Sequence, residues 1–355
     1  MAITHLTLKD FRNHHDIAIL PDHHFIVMTG PNGAGKTNIL EAISLLTPGR
    51  GLRRAKMPDM IRNDAQGGFV VNAHIVDLII GTGVDAAHPT RRIVRLNGEN
   101  KPANHLSHLV SLSWLTPAMD RLFMEGASQR RQFIDRLVMA IIPDHGRHCL
   151  RYDRAVKQRN HILSQPGPLD HSWLNAVEIA MAEHGGALND NRKKIIAMLN
   201  DILAPLPNEP FARPFLAMAH DRHHHDWPLY WRHERHIDAR AGRTLAGPHK
   251  SDLLVTHSAK NIEAQHCSTG EQKALLLSII LAHMEIVRGA SKRPFIMLLD
   301  EVTAHLDPVR RGALFERLDQ SGAQIWMTGT EKYLFNEIDR SAHHVILDGP
   351  VLNDL

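Results

Sequence analysis

"MTGPNGAGKTNILEAI", residues 28–43, is the stretch on which the fold turns. From Gly30 to Thr37 it fits the pattern G-x-x-x-x-G-K-[ST]. Phe25–Met28 is an apolar run that reads as a short buried strand, and after Lys36 the apolar residues Ile39, Leu40, Ile43 and Leu46 follow helical spacing. Strand, glycine loop and helix form the setting in which such a loop cradles phosphate. Gly30, Gly33 and Gly35 permit positive φ and close approach of backbone N–H groups to an anion. Lys36 is expected to reach the β- and γ-phosphates of a nucleoside triphosphate, and Thr37 to offer its hydroxyl to Mg2+. Pro31, Asn32, Ala34 and Asn38 complete the expected nucleotide-binding set. A chance glycine-rich turn ahead of a helix is hard to reconcile with a match over the whole motif.

The complementary half lies near the other end. "RPFIMLLDEVTAHLD", residues 293–307, holds an apolar strand ending in Asp300 and Glu301. Asp300 is expected to hold Mg2+ through water, and Glu301 to act as general base on the attacking water. An apolar strand ending in acids is common by itself; together with the glycine loop it makes a Walker A and Walker B pair. "STGEQK" begins at Ser268, 32 residues ahead of Asp300, and precedes the apolar helix pattern "KALLLSIILAHMEIV". It resembles the signature motif of ABC-type ATPases, and "TAHLD", ending at Asp307, resembles their D-loop. In those proteins the signature serine and glycine, here Ser268 and Gly270, touch the γ-phosphate held by the other subunit. Donors at a helix N-terminus suit that anion. Ser268 with Glu271 three residues later also fits a plain capping box.

Composition sets bounds on the rest. The 355 residues carry a formal net charge of +3, with 43% hydrophobic and 22% charged residues, as in a globular protein of more than one lobe. No apolar run approaches the roughly 20 residues of a membrane helix. The N-terminus lacks a signal-peptide pattern, and Cys149 and Cys267 are too few for a disulfide framework, so a cytoplasmic location is expected. The 27 histidines include "HHH" at 223–225, but show no metal-ligand spacing. Mg2+ is the only metal expected. Between Arg121 and Asn160 nine Lys/Arg face four Asp/Glu, which fits either a solvated helical face or a phosphate-binding one.

Residues 1–116 read as mixed strand and helix, 117–240 as a mainly helical insertion or arm, and 241–355 as strand and helix again. "QPGPLD" at 165–170 marks a turn between two helices, and residues 206–240 carry no clear pattern. The expected fold is therefore α/β, a P-loop ABC-type ATPase head with a mixed sheet interrupted by a helical insertion.

The chain resembles the RecF family of bacterial DNA replication and repair proteins over nearly its whole length. The matching stretches are "LTLKDFRNH", "GPNGAGKTNILEAI", "GASQRRQFIDR", "YDRAVKQRNHIL", "LAGPHKSDL", "STGEQKALLLS" and the Walker B segment. The resemblance implies an ATP-dependent DNA-binding switch. Two subunits close head-to-tail on two ATP molecules and clamp DNA, and hydrolysis reopens them. It also implies work at single-strand gaps with the RecR and RecO mediators, helping to load recombinase. Arg130, Arg131 and Lys157 are the candidate DNA contacts; for Arg131 the alternative is an arginine that braces the insertion.

Three departures stand out. The family usually has Arg at Lys250, a second Asp at Ser251 and Gln at Glu271, and a carboxylate beside a γ-phosphate is unfavourable unless it points away. "QIWMTGTE" lacks the switch histidine of transporters and leaves Thr328 and Thr330 as its polar side chains, either one a candidate sensor of the γ-phosphate. Two readings from other classes use the same loop. A P-loop phosphotransferase needs neither signature helix nor D-loop, and a transporter ATPase subunit expects the switch histidine and no "RRQF" insertion.

Overall fold

The computed structural model describes residues 2–219, 226–304 and 306–348; the histidine tract at 223–225 lies outside them. The chain divides into two compact units, Met1–Asp120 with His283–Leu355, and Arg121–Ala282.

The first unit contains two sheets. One is parallel, built from β3 (Phe25–Thr29), β8 (Ser111–Leu115), β12 (Phe295–Leu299), β13 (Gln324–Gly329) and β14 (Ala342–Ile346) in the order β14-β3-β13-β12-β8. Strands β3, β12 and β13 are buried at every position, as expected of parallel strands covered on both faces. The other sheet is antiparallel, in the order β2-β1-β4-β5-β6-β7, from β1 (Ile3–Phe11), β2 (His14–Ile19), β4 (Phe69–Ile75), β5 (Leu78–Val84), β6 (Ile93–Leu96) and β7 (Glu99–Asn100). Its inward residues Leu6, Leu8, Val71, Ala73 and Ile80 share one core with Ile26 and Met28 of β3 and with Ile39, Leu40 and Ile43. The last three lie on α1 (Lys36–Ser44), the helix that follows the glycine loop. Phe11 pairs with His14 across the β1–β2 turn, where Arg12 takes a positive φ of 57°.

The second unit is mainly helical: α2 (Ala127–Ile141), α3 (His145–Ser164), α4 (His171–Leu203) and α5 (Trp227–Ala241), with a small antiparallel sheet of β9 (Pro214–Ala219), β10 (Asp252–His257) and β11 (Ile262–Glu263). Helix α6 (Thr269–Ala290) begins in this unit, and α7 (Pro308–Gln320) belongs to the first. This unit runs to Ala282. The reason is strand pairing: β10 binds β9 from Asp252–Ala219 to His257–Pro214, and α2 packs on β10. The unassigned stretch 206–240 supplies β9 and α5. The helix is capped by Asp226, whose carboxylate accepts from the Leu229 N–H at 2.9 Å, and it stops at Gly242 with φ 65°. Among the described residues no helix is long and apolar enough to cross a membrane.

Tyr152, Ile162, Leu174, Met181 and Trp231 form the core of this unit. Beside it lies a buried ionic network. Arg159 is wholly buried and donates to Glu178 (2.9 Å), Asp238 (2.6 Å), Thr244 Oγ1 (2.9 Å) and the Trp231 carbonyl (2.8 Å). Arg235 donates to both carboxylate oxygens of Glu178, at 3.0 and 2.5 Å. Removing one partner of such a network strands a buried charge, which costs about 3–5 kcal/mol. Glu178→Ala is therefore expected to lower unfolding stability by about that amount. Chemical denaturation reads it directly, and an unchanged midpoint would mean that the two guanidinium groups find other partners.

Candidate functional site

Strand β3 delivers the loop 30–35 to the start of α1. Gly30 (φ 147°) and Gly35 (φ 95°) take backbone angles that side chains rarely adopt, and space forbids a Cβ as well. At Gly30 it would lie 2.1 Å from the Leu347 carbonyl oxygen, and at Gly35 2.5 Å from the His14 ring. Lys36 is nearly buried, and its ammonium donates to the carbonyls of Gly30 (2.6 Å) and Pro31 (2.9 Å). The only cation of the loop thus lies across its mouth.

Asp300 sits one strand away from β3 plus one more, since β13 lies between β3 and β12. The carboxylate bridges that gap. Its Oδ1 accepts from the Thr37 hydroxyl at 2.9 Å and from the Thr328 hydroxyl at 2.8 Å, and Thr328 in turn accepts from the Glu301 N–H at 2.9 Å. Glu301 adopts φ 51°, a left-handed angle costly for a residue with a Cβ, and its N–H bond to Thr328 holds it there. Thr37, Asp300 and Glu301, read from segments more than 260 residues apart, therefore meet at one point. Of the two threonines read as sensors, Thr328 is fully buried beneath the acids and Thr330 is exposed at the end of β13. The oxygen donors of Thr37 and Asp300 suit a hard divalent cation such as Mg2+.

Residues of the β1–β2 turn hold this loop from the other side, and sequence reading assigned them no role. His14 is buried and donates Nε2–H to the Gly35 carbonyl at 3.1 Å; burial lowers its pKa. Asn13 accepts from Asn38 at 2.6 Å. The Arg12 guanidinium forks onto the fully buried Glu41 of α1, with both contacts at 2.8 Å. Arg53 donates to Asn38 at 2.6 Å. The stretch "FRNH" carried the signal, but its use depends on a turn meeting a helix 20 residues away.

Ser268 and Gly270 lie in the second unit, at the start of α6. The Glu271 carboxylate folds back onto Ser268, accepting from its N–H (2.9 Å) and hydroxyl (2.8 Å), and also pairs with Lys260. These bonds, Lys260 first, draw its pKa down to about 2. The carboxylate is thus turned back into a capping box and paired with a lysine. Asp307 caps α7, accepting from the Arg310 N–H at 2.9 Å.

Two of the candidate DNA contacts have partners within the fold. Arg130 forks onto Asp252 at 2.8 and 2.7 Å, and Arg131 is partly buried and donates to the Ser251 carbonyl at 2.7 Å. Both brace α2 against the start of β10. Lys157 is exposed on α3. Asp135, His145 and Cys149 converge as potential metal ligands. However, Asp135 already receives both arms of the Arg192 fork at 2.7 Å, and burial drives the Cys149 thiol pKa up. A guanidinium occupies the position a cation would need.

Thr328→Val tests the junction. It removes the hydroxyl joining Asp300 to the Glu301 N–H and leaves that donor unpaired, a loss of about 1–3 kcal/mol in positioning. ATP binding is expected to persist while turnover falls about tenfold or more. Equal turnover in the variant would show that Thr328 does not position the acids.

Residues 2–347 match the family model described as RecF/RecN/SMC N terminal domain. The DNA replication and repair protein RecF of Rhizobium rhizogenes is 43% identical, over 96% of this chain and 95% of that protein. The RecF of Brucella suis is 42% identical over 95% and 92%. Among solved structures, the recombination mediator protein RecF with ATPrS, in the RecFOR pathway, superposes with a TM-score of 0.83 at 21% identity, covering 98% of this chain and 97% of that one. An Smc head domain from Pyrococcus furiosus superposes with a TM-score of 0.52 at 16% identity, covering 99% and 94%. The fold is that of the RecF and SMC ATPase heads, and the chain belongs to the RecF family.

Proposed function

We propose that this chain is an ATP-driven switch on DNA that serves recombinational repair and the upkeep of replication forks. The observation that carries the reading is the meeting of Thr37, Asp300, Thr328 and Glu301 at the mouth of the glycine loop, in a chain that matches RecF proteins end to end. Residues 30–38 bind the triphosphate, with Lys36 turning from the loop carbonyls to the β- and γ-phosphates. Thr37 and Asp300 would hold Mg2+, which supplies charge neutralisation at the phosphates. Glu301, fixed by its backbone bond to Thr328, takes the proton of the attacking water. The product is ADP and phosphate, formed slowly and faster on DNA.

Two copies close head-to-tail, so that Ser268, Gly270 and Asp307 of one complete the nucleotide site of the other. In this division of labour residues 1–116 and 241–355 carry the ATP cycle and 117–240 form the arm. The pairing of Glu271 with Lys260 supports the role of Ser268, because the ammonium offsets the negative charge that would repel a γ-phosphate. The closed dimer clamps DNA and hydrolysis releases it. RecR and RecO are the proposed partners at single-strand gaps, and the cytoplasm is the proposed location. A phosphotransferase or a transporter ATPase subunit remains the second reading only through the shared loop; no other residue favours it.

ATP turnover measured with and without gapped duplex separates the readings. Stimulation by DNA is expected, and a rate indifferent to DNA would favour the phosphotransferase.

Ser268→Arg is expected to retain ATP binding by the monomer, block ATP-dependent dimerisation by bulk and misplaced charge, and abolish ATP-dependent DNA binding. Mixed with Lys36→Met, it should recover one competent site per heterodimer, formed by its own glycine loop and the partner's intact serine. Light scattering reads the outcome. Full dimerisation by Ser268→Arg would reduce "STGEQ" to a helix cap and end the shared-site mechanism.

A further inference from the structure

Helix α3 buries one face and leaves the other open. Tyr152, Ala155, Arg159 and Ile162 point into the second unit's core, whereas Arg147, Leu150, Arg151, Arg154, Lys157, Gln158 and His161 are exposed. At 3.6 residues per turn these exposed positions occupy about one third of the helix circumference. Four of them are cations; one exposed acid, Asp153, flanks the arc four residues before Lys157, and the row from Arg147 to Lys157 runs about 15 Å along the axis. Solvated helix faces ordinarily interleave opposite charges at i, i+4, and like charges at that spacing repel. Little offsets the repulsion here. Arg147 has only an exposed pairing with Asp144 at 3.4 Å, and Lys157 feels Asp153 at the edge of the row. Arg151 and Arg154 have no ion pair or hydrogen bond among the described residues. Arg159, on the same helix, shows the contrast, because its guanidinium is buried and bonded to Glu178, Asp238, Thr244 and the Trp231 carbonyl.

We propose that the Arg147–Arg151–Arg154–Lys157 face of α3 is a docking surface for the phosphate backbone of duplex DNA. It rests on the DNA-switch reading above and gives that reading its contact surface, in place of Arg130 and Arg131. The charge is complementary and the spacing fits. The cations follow one another every turn, about 5 Å apart, while a duplex presents a charge about every 1.7 Å of axis. Every side chain in the row therefore has a phosphate within reach. Arginine predominates, and its planar fork matches phosphate oxygens two at a time. Backbone contacts of this kind position a duplex without reading its sequence.

The test is the triple variant Arg151→Gln, Arg154→Gln, Lys157→Gln in the full chain, with ATP present, titrated against a fixed duplex at several salt concentrations. Circular dichroism verifies the fold, since all three positions are exposed. The expected result is a loss of affinity of at least tenfold, and a plot of log affinity against log salt that is shallower by about 3, near 0.9 for each phosphate contact removed. A control with the same change in net charge, Lys292→Gln, Lys332→Gln, Arg340→Gln in the first unit, should change both far less. Unchanged affinity and slope in the α3 variant would return the row to a solvated face, and an equal loss in the control would make the effect one of net charge. Loss of binding to phosphatidylserine vesicles with duplex binding intact would assign the face to a lipid surface instead. If the unaltered chain binds no duplex with ATP, the DNA-switch reading falls and takes this surface with it; a failure confined to the triple variant leaves that reading standing.

Discussion

One carboxylate oxygen organises the first unit. Oδ1 of Asp300 accepts two hydroxyl protons, one from the helix that opens the glycine loop and one from the strand that separates that loop's strand from its own. A buried carboxylate is tolerable only where donors satisfy it, so the three segments must arrive together for any of them to settle. The order β3-β13-β12 follows from this need as much as from the apolar strands themselves: the middle strand brings Thr328 to where its hydroxyl can serve Asp300 and the Glu301 N–H together. The left-handed turn at Glu301 is the local cost.

The same economy of arginines runs through the second unit. Arg159, Arg192 and Arg235 are buried and divided among Glu178, Asp238 and Asp135. Asp135 is held well below the usual carboxylate range, at about 2, by His145 and Arg192 against the opposing effect of burial. The motif arginines Arg130 and Arg131 belong to this group, pinning α2 to Ser251 and Asp252. Ser251, where the family has a second acid, is absorbed without strain: its hydroxyl accepts from Arg192 at 3.0 Å and donates to the Pro248 carbonyl at 2.8 Å. On α3 the basic groups left for solvent are those on its open side. A segment that is uniformly basic in composition thus sorts into structural and available cations by which side of a helix each occupies.

Glu271 illustrates how one substitution is accommodated locally. Replacing an amide with a carboxylate at the start of α6 adds a charge at a helix end that attracts anions. Lys260, on the neighbouring turn, and the Ser268 N–H together draw that charge inward, so the helix end keeps a capped, electrically balanced form.

The sequence by itself determined the local chemistry: a glycine loop between strand and helix, two acids at the end of an apolar strand, a capped helix start, and the family to which these belong. Such features are legible because backbone conformation, helix spacing and strand burial are short-range properties written in consecutive residues. Tertiary structure alone decided which segments meet. It set His14 and Asn13 against the glycine loop, joined Thr328 to Asp300 and the Glu301 N–H, and paired β10 with β9. It also withdrew Arg130 from the available cations by facing it with Asp252. Each of these depends on the partner that a side chain or strand edge finds across the fold, and hydrogen bonding and charge pairing carry no trace in the sequence until both partners are in place.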